Sequence, residues 1–278
     1  MLISIEFDNQ SFEVDASNPL NIAVPLRFGG AQPNAYGVEP ATSRPCEAGA
    51  LVGDTRRGGS CNFEQYKFIP HCNGTHTESI GHITHERISV QDCLKDAFMP
   101  AALISIAPEN AANSSETYPV ALNEKDWLLT RRAIERAISN FRFQISDFKS
   151  KDFPKALVVR TLPNDEGKLT KTYLDKVPPF FSTEAMLFMR EIGVRHLLVD
   201  LPSIDRIFDE GKLSNHRIFW QVEQGAFETS PESLLDNTIT ELIYVGNDVS
   251  DGEYLLNLQI APFAADASPS RPLLFALR

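Results

Sequence analysis

From His71 to His82 the chain reads His71-Cys72-Asn73-Gly74-Thr75-His76-Thr77-Glu78-Ser79-Ile80-Gly81-His82, setting three of its six histidines beside a carboxylate and a thiol. Imidazole nitrogens and carboxylate oxygens together suit zinc, manganese or iron. A divalent ion held in such a set activates water at neutral pH. His76, Glu78 and His82 are separated by even numbers of residues, so on an extended backbone they share one face. Gly74 and Gly81 permit tight turns, which lets His82 swing away from strict alternation. The pattern is neither HExxH nor a zinc finger, and a polar surface loop can have the same composition.

Residues further along can complete such a site. His216 stands in Asn215-His216-Arg217 at an expected helix start, where the positive end of the helix disfavours imidazolium and keeps the ring neutral and able to ligate. The same histidine can also simply pack at a helix end. Glu241 lies inside the apolar run Ile239–Val245, and a buried glutamate needs a partner or a metal; an outward-facing strand position is the other reading. Asp200, Ser203 and Asp205 follow a strand, where α/β proteins commonly line their sites, although Ser203 can equally cap the next helix. His85, His196 and the remaining cysteines read as structural.

The elements that must position these groups follow from apolar patterning. Leu2–Phe7 and Ser11–Val14 read as a hairpin turning at Asp8-Asn9-Gln10. Residues 16–62, rich in Pro, Gly, Ala, Ser and Asn, read as long ordered loops. Apolar runs at Ala101–Ile106, Ala156–Thr161, Arg195–Leu201, Ile239–Val245, Leu255–Ile260 and Leu273–Leu277 read as buried strands. Asn123–Phe141 reads as a helix capped by Asn123, with Trp127, Ile134, Ile138 and Phe141 as its stripe. A second helix, Ser182–Ile192, is capped by Ser182 or Thr183 and stopped by Gly193; a third begins near Asn215 and stops at Gly225. This order predicts one mixed α/β domain over residues 1–278, with a central mixed sheet flanked by helices.

Bulk properties narrow the function. A net charge of −11 repels nucleic-acid phosphates, and the pairs Arg56-Arg57 and Arg131-Arg132 are too small to form a binding patch. No stretch approaches the ~20 apolar residues of a membrane span, and the N-terminus lacks the basic start of a signal peptide, so a cytoplasmic location is expected. Cys46, Cys61, Cys72 and Cys93 contain no CxxC pair and are expected as reduced thiols. No Gly-x-Ser-x-Gly elbow argues for a serine hydrolase, and no Gly-x-Gly-x-x-Gly for a Rossmann cofactor.

At the histidine-rich segment the sequence resembles the cyclase family, which includes bacterial-type kynurenine formamidases. Gly74-Thr75-His76-x-Glu78 and His82 match its metal-binding segment in order. Ser89-Val90-Gln91-Asp92, Asp200-Leu201-Pro202-Ser203-Ile204-Asp205, the His216 and Glu241 regions and Ser268-Pro269-Ser270-Arg271-Pro272 continue the likeness from about residue 60 onward. The resemblance implies a swivelling β/β/α-like fold and a homo-oligomer, dimer or tetramer. It implies zinc or manganese, as one or two ions, and hydrolysis of a carbon–nitrogen bond in a small amide or cyclic amide. It makes His76 and Glu78 metal ligands, with Glu78 able to bridge two ions and His71 a ligand to the first. His216 and Glu241 serve a second ion, and His82 is the general acid/base. The chain departs from the pattern at three points. Glu78 stands where aspartate is usual, no proline follows it, and Cys72 occupies the place of the first histidine, with His71 one position earlier, so either Cys72 or His71 is the first ligand. Ester or lactone hydrolysis and a non-catalytic metal- or small-molecule-binding role are the alternatives.

Overall fold

The computed structural model describes residues 1–7, 10–139, 155–174 and 176–278. Strands β1 (Leu2–Phe7) and β2 (Gln10–Asp15) pair antiparallel as the expected hairpin, and its turn residues Asp8 and Asn9 lie outside the described residues. Among the described residues nine strands form the central sheet: β3 (Leu20–Asn21), β4 (His76–Glu78), β5 (Phe98–Ile106), β6 (Ala156–Thr161), β7 (His196–Val199), β8 (Thr238–Glu241), β9 (Gly252–Asn257), β10 (Ala267–Pro269) and β11 (Leu273–Ala276). Their spatial order is β10-β4-β8-β7-β6-β5-β9-β11-β3. The four central strands, β5 to β8, run parallel and read in sequence as continuous apolar runs because both faces are covered. Antiparallel strands flank them on each side.

Alternation along the central strands divides the core. Leu157, Val159, Leu197, Val199 and Ile239 face a layer containing Ile134, Phe188 and Trp220. Val158 and Leu198 face the opposite way, against Ile22, Tyr254 and Leu274. The first layer is carried by helices α1 (Arg131–Ile138), α2 (Thr183–Glu191) and α3 (Ser214–Trp220). Helix α2 has the expected ends: Ser182 Oγ accepts from Ala185 N at 3.0 Å, and Gly193 follows at φ +83°.

The other two helices differ from the sequence reading. Helix α1 starts eight residues after Asn123, capped by Thr130, whose Oγ1 accepts from Ala133 N. Asn123 caps a turn instead, accepting from Lys125 N. Trp127–Leu129 is extended, pairing in parallel with Phe180–Phe181, so Ile134 and Ile138 are buried while Trp127 is 40% exposed. Phe141, placed in the same stripe, lies outside the described residues. Helix α3 stops five residues before Gly225, where Gln221 turns into the left-handed region at φ +54°. Within residues 16–62 the backbone forms only short strands and one 3-10 turn.

Candidate active site

Register brings the chemistry together. β4 pairs with β8 so that Glu241 stands opposite His76 and Ile239 opposite Glu78. Ile239 belongs to the helix-side core, so His76, Glu78 and Glu241 point to that face by alternation. Thr77, between them, meets Thr240 on the other face at 2.8 Å. The even spacing of His76 and Glu78 therefore works as expected, and Glu241 is buried rather than outward-facing.

The segment is pinned at both ends. One helical turn, Pro70–Asn73, carries His71 and Cys72. Thr75 Oγ1 accepts from Val24 N at 2.7 Å and donates to the Leu242 carbonyl. After β4, Ser79 Oγ caps the 3-10 turn Ile80–His82, which swings His82 out of the strand pattern. Gly81 is required there: a Cβ would sit 2.2 Å from the Ile88 carbonyl oxygen.

Glu78 is the hub. Its Oε1 lies 2.9 Å from His216 Nε2. Its Oε2 lies 3.0 Å from His71 Nδ1 and 3.9 Å from His82 Nε2. His76 Nε2 stands 3.6 Å from Glu241 Oε2, while its Nδ1 meets the Gly74 carbonyl at 3.1 Å. That contact places the proton on Nδ1 and leaves the Nε2 lone pair facing inward. Glu241 Oε1 accepts from Ile204 N at 2.9 Å and lies 3.8 Å from His216 Nε2.

His216 is oriented by a residue the sequence placed near the site without a role. Asp205 Oδ2 lies 2.6 Å from His216 Nδ1. Its Oδ1 accepts from Asn215 N, the start of α3, and from the Tyr118 hydroxyl. The helix start was expected to keep His216 neutral. Instead burial, which favours the neutral ring, is outweighed by Glu78 and Asp205, and the His216 pKa is raised well above its ordinary value. Two close carboxylates exceed the half-charge of a helix end.

A further carboxylate was not anticipated. Asp266, on the bend leading into β10, puts Oδ2 3.1 Å from His71 Nε2 and 3.5 Å from His82 Nδ1. The available signal was that Asp266 is the sole acidic side chain after Glu253.

Other named residues lie apart. Cys72 is buried, and its thiol is pushed up to about 11, first by desolvation and then by Glu241; among the described residues it joins none of the groups whose donor atoms converge. Asp200 accepts from Thr161 N and Lys168 Nζ and so ties the ends of β6 and β7 together. Ser203 Oγ accepts from Asp205 N and shapes the loop. His85 stacks on Phe227, and His196 meets Thr238 at 2.8 Å. A cavity of about 920 Å³ opens between Ser105, Arg136, Asp251 and Arg278; it shares no residue with the histidine cluster, so side-chain chemistry rather than cavity size locates the site.

The arrangement fits a metal ion. Donor atoms of His71, His76 and Glu78, of Glu78, His82 and His216, and of His71, His82 and Asp266 lie within 4.8 Å of one another. Bonds of about 2.0–2.2 Å to one ion require such convergence. His76 Nε2 is buried with no hydrogen-bond partner, and buried polar atoms seldom stay unsatisfied without an unseen ligand.

Without an ion, His71 and His216 draw protons. Burial lowers the His71 pKa, but hydrogen bonds to Asp266 and then Glu78 outweigh it and push it up to about 10. Glu78 is held well below the carboxylate range against its burial, chiefly by His82 and His216. A raised histidine stabilises the fold fully below its unfolded pKa of about 6.5, and that contribution disappears as pH rises through the folded value. The metal-free protein is therefore expected to melt at a lower temperature at pH 9 than at pH 6. The zinc-loaded protein, in which the cation replaces the protons, is expected to show a wider advantage at pH 9. Paired thermal melts at the two pH values check both; an equal gap contradicts them.

Comparison with known proteins gives a consistent picture. The profile of the Cyclase family matches residues 3–206. A kynurenine formamidase of Bacillus cereus is 22% identical over 263 residues, 94% of this chain and 96% of that one. A "predicted metal-dependent hydrolase" from Bacillus stearothermophilus superposes with a TM-score of 0.57 at 16% identity, over 93% of this chain and 98% of that one. Isatin hydrolase A from Labrenzia aggregata gives a TM-score of 0.59 at 14% identity, over 93% of each. The mixed α/β architecture expected from sequence is thus the fold of these structures.

Proposed function

Because the chain belongs to the Cyclase family, we propose that it is a metal-dependent hydrolase that cleaves the carbon–nitrogen bond of an amide or cyclic amide in a small molecule. The observation that carries this reading is the buried, unpartnered His76 Nε2, in a cluster whose donor atoms from His71, His76 and Glu78 converge. The names of two relatives, a formamidase and an isatin hydrolase, support the amide bond as the target.

His71, His76 and Glu78, whose donor atoms converge, would hold the cation, zinc or manganese, with His216 beside Glu78 Oε1 and Glu241 beside His76 Nε2 available to a second ion. Bound there, the cation supplies the charge that acidifies water and polarises a carbonyl. The protein residues do the rest. Asp205 occupies His216 Nδ1, so only Nε2 of that ring faces the centre; such outer carboxylates fix both tautomer and ring orientation. Burial of Glu78 and Glu241 keeps bulk water from competing for their oxygens. His82, with 27% of its side chain exposed, stands between the centre and solvent, where it accepts a proton from water and returns one to the departing nitrogen.

A reducing, cytoplasmic setting fits the four unpaired cysteines, and among the described residues no helix is long and apolar enough to cross a membrane. Assembly as a homo-oligomer is part of the same proposal.

Elemental analysis with an activity panel tests the reading. Purified protein is expected to carry zinc or manganese. Chelation should abolish hydrolysis of N-formyl arylamines or lactams, and added metal should restore it. Protein free of transition metal, and inactive on every amide with zinc or manganese added, would reject the proposal.

A further inference from the structure

We propose that Asp266 is a positioning residue of this centre, its single oxygen Oδ2 fixing the orientation and tautomer of both His71 and His82. The inference rests on the metal-hydrolase reading above and extends it to a residue outside the His71–His82 segment.

The backbone holds Asp266 in place from two sides. β10 lies antiparallel to β4 with Ala267 opposite Glu78. Ser79 N donates to the Asp266 carbonyl at 2.9 Å, and Val90 N to the Ala265 carbonyl at 2.8 Å. The carboxylate therefore stands next to the end of β4, where the chain turns to deliver His82. The His71 and His82 rings lie 4.3 Å apart at 30°, and both reach Oδ2, at 3.1 Å through His71 Nε2 and 3.5 Å through His82 Nδ1. The second distance is long, as catalytic hydrogen bonds often are before ligands bind.

A carboxylate facing one imidazole nitrogen holds the proton there and leaves the lone pair on the other. On His71 the nitrogen left for the cation is then Nδ1, which without an ion meets Glu78 Oε2 at 3.0 Å. On His82 it is Nε2, the atom 3.9 Å from the same Glu78 oxygen, which puts its proton-accepting nitrogen toward the centre. One oxygen thus sets two rings with different tasks, a ligand and a proton carrier.

The test is 15N-histidine NMR on zinc-loaded wild type, Asp266→Asn and Asp266→Glu, with zinc titration and kinetics on the same samples. Wild-type His82 is expected to show a protonated Nδ1 and a bare Nε2. In Asp266→Asn that signal becomes a tautomer mixture, zinc affinity and kcat each fall by about 10–100-fold, and KM changes by less than about twofold. Asp266→Glu is expected to recover part of the wild-type nitrogen pattern. Unchanged nitrogen shifts and kcat in Asp266→Asn overturn the proposal. So does an extra zinc equivalent present in wild type and lost in the variant, which would make Asp266 a ligand. If Asp266→Asn fails to fold, Asp266→Ser is read in the same way. A wild-type protein that neither binds zinc nor hydrolyses amides rejects the hydrolase reading instead. The His82 tautomer, compared between metal-free wild type and metal-free Asp266→Asn, then still decides the role of Asp266.

Discussion

Glu78→Gln is expected to leave a folded protein that has lost its metal and its activity. The Glu78 carboxylate serves both sides of the cluster, Oε1 at 2.9 Å from His216 Nε2 and Oε2 at 3.0 Å from His71 Nδ1. The amide keeps the shape but removes the charge, and its NH2 group presents protons where a cation should lie. Losing an outer-shell partner costs about 10–100-fold in metal affinity; losing this inner carboxylate should cost more than about 100-fold, with turnover down by roughly 10³-fold or more because water is no longer activated. The metal-free variant should also be less stable. Breaking a buried ion pair by removing one partner costs about 3–5 kcal/mol, reduced here because the two freed imidazoles can discard their protons. Elemental analysis and denaturant unfolding after chelation measure the two effects separately. A Glu78→Gln protein with wild-type metal content and turnover would remove Glu78 from the centre.

The parts of this site that were legible in sequence are those set by local geometry. His76 and Glu78 share a face because strand alternation has a period of two, and Gly81 marked the turn that carries His82 because no side chain fits beside the Ile88 carbonyl. Helix α2 was legible because Ser182 and Gly193 bracket it. The failures lie where distant segments decide. Asn123 looked like a helix cap, but Thr130 lies at the end of an extended pair that docks on Phe180–Phe181, and that docking moves the helix start to Arg131. Nothing local announces that β8 and β10 flank β4 on either side, so the pairing of Glu241 with His76 and the approach of Asp266 to His71 emerge only with the sheet. The pull of Asp205 and Glu78 on the metal-free His216 ring was equally out of reach, since both come to it from other elements. Relative to the family pattern, the histidine stands one position early and the acid is one methylene longer, yet His71 and Glu78 still meet at 3.0 Å.

His82→Ala separates the holding of the ion from the movement of protons. His82 is the most solvent-exposed histidine of the cluster, with 27% of its side chain accessible against 23% for His71, 2% for His216 and none for His76. Its Nε2 stands 3.9 Å from Glu78, farther than His71 or His216. His76, Glu78, His216 and Glu241 do not depend on it for burial or backbone contacts, since each has its own anchor in β4, β8 or α3. Removing the ring should therefore leave metal content within about twofold of wild type, while kcat falls by about 10²–10⁴-fold, the usual worth of a positioned acid/base. The loss should be smaller for amides whose departing amine is weakly basic, because such a nitrogen leaves with less help from a proton donor. Rates measured across a series of substituted anilides, with metal content determined on the same samples, test this; a slope against amine pKa identical to wild type would mean that the proton arrives from elsewhere and that His82 serves the ion instead.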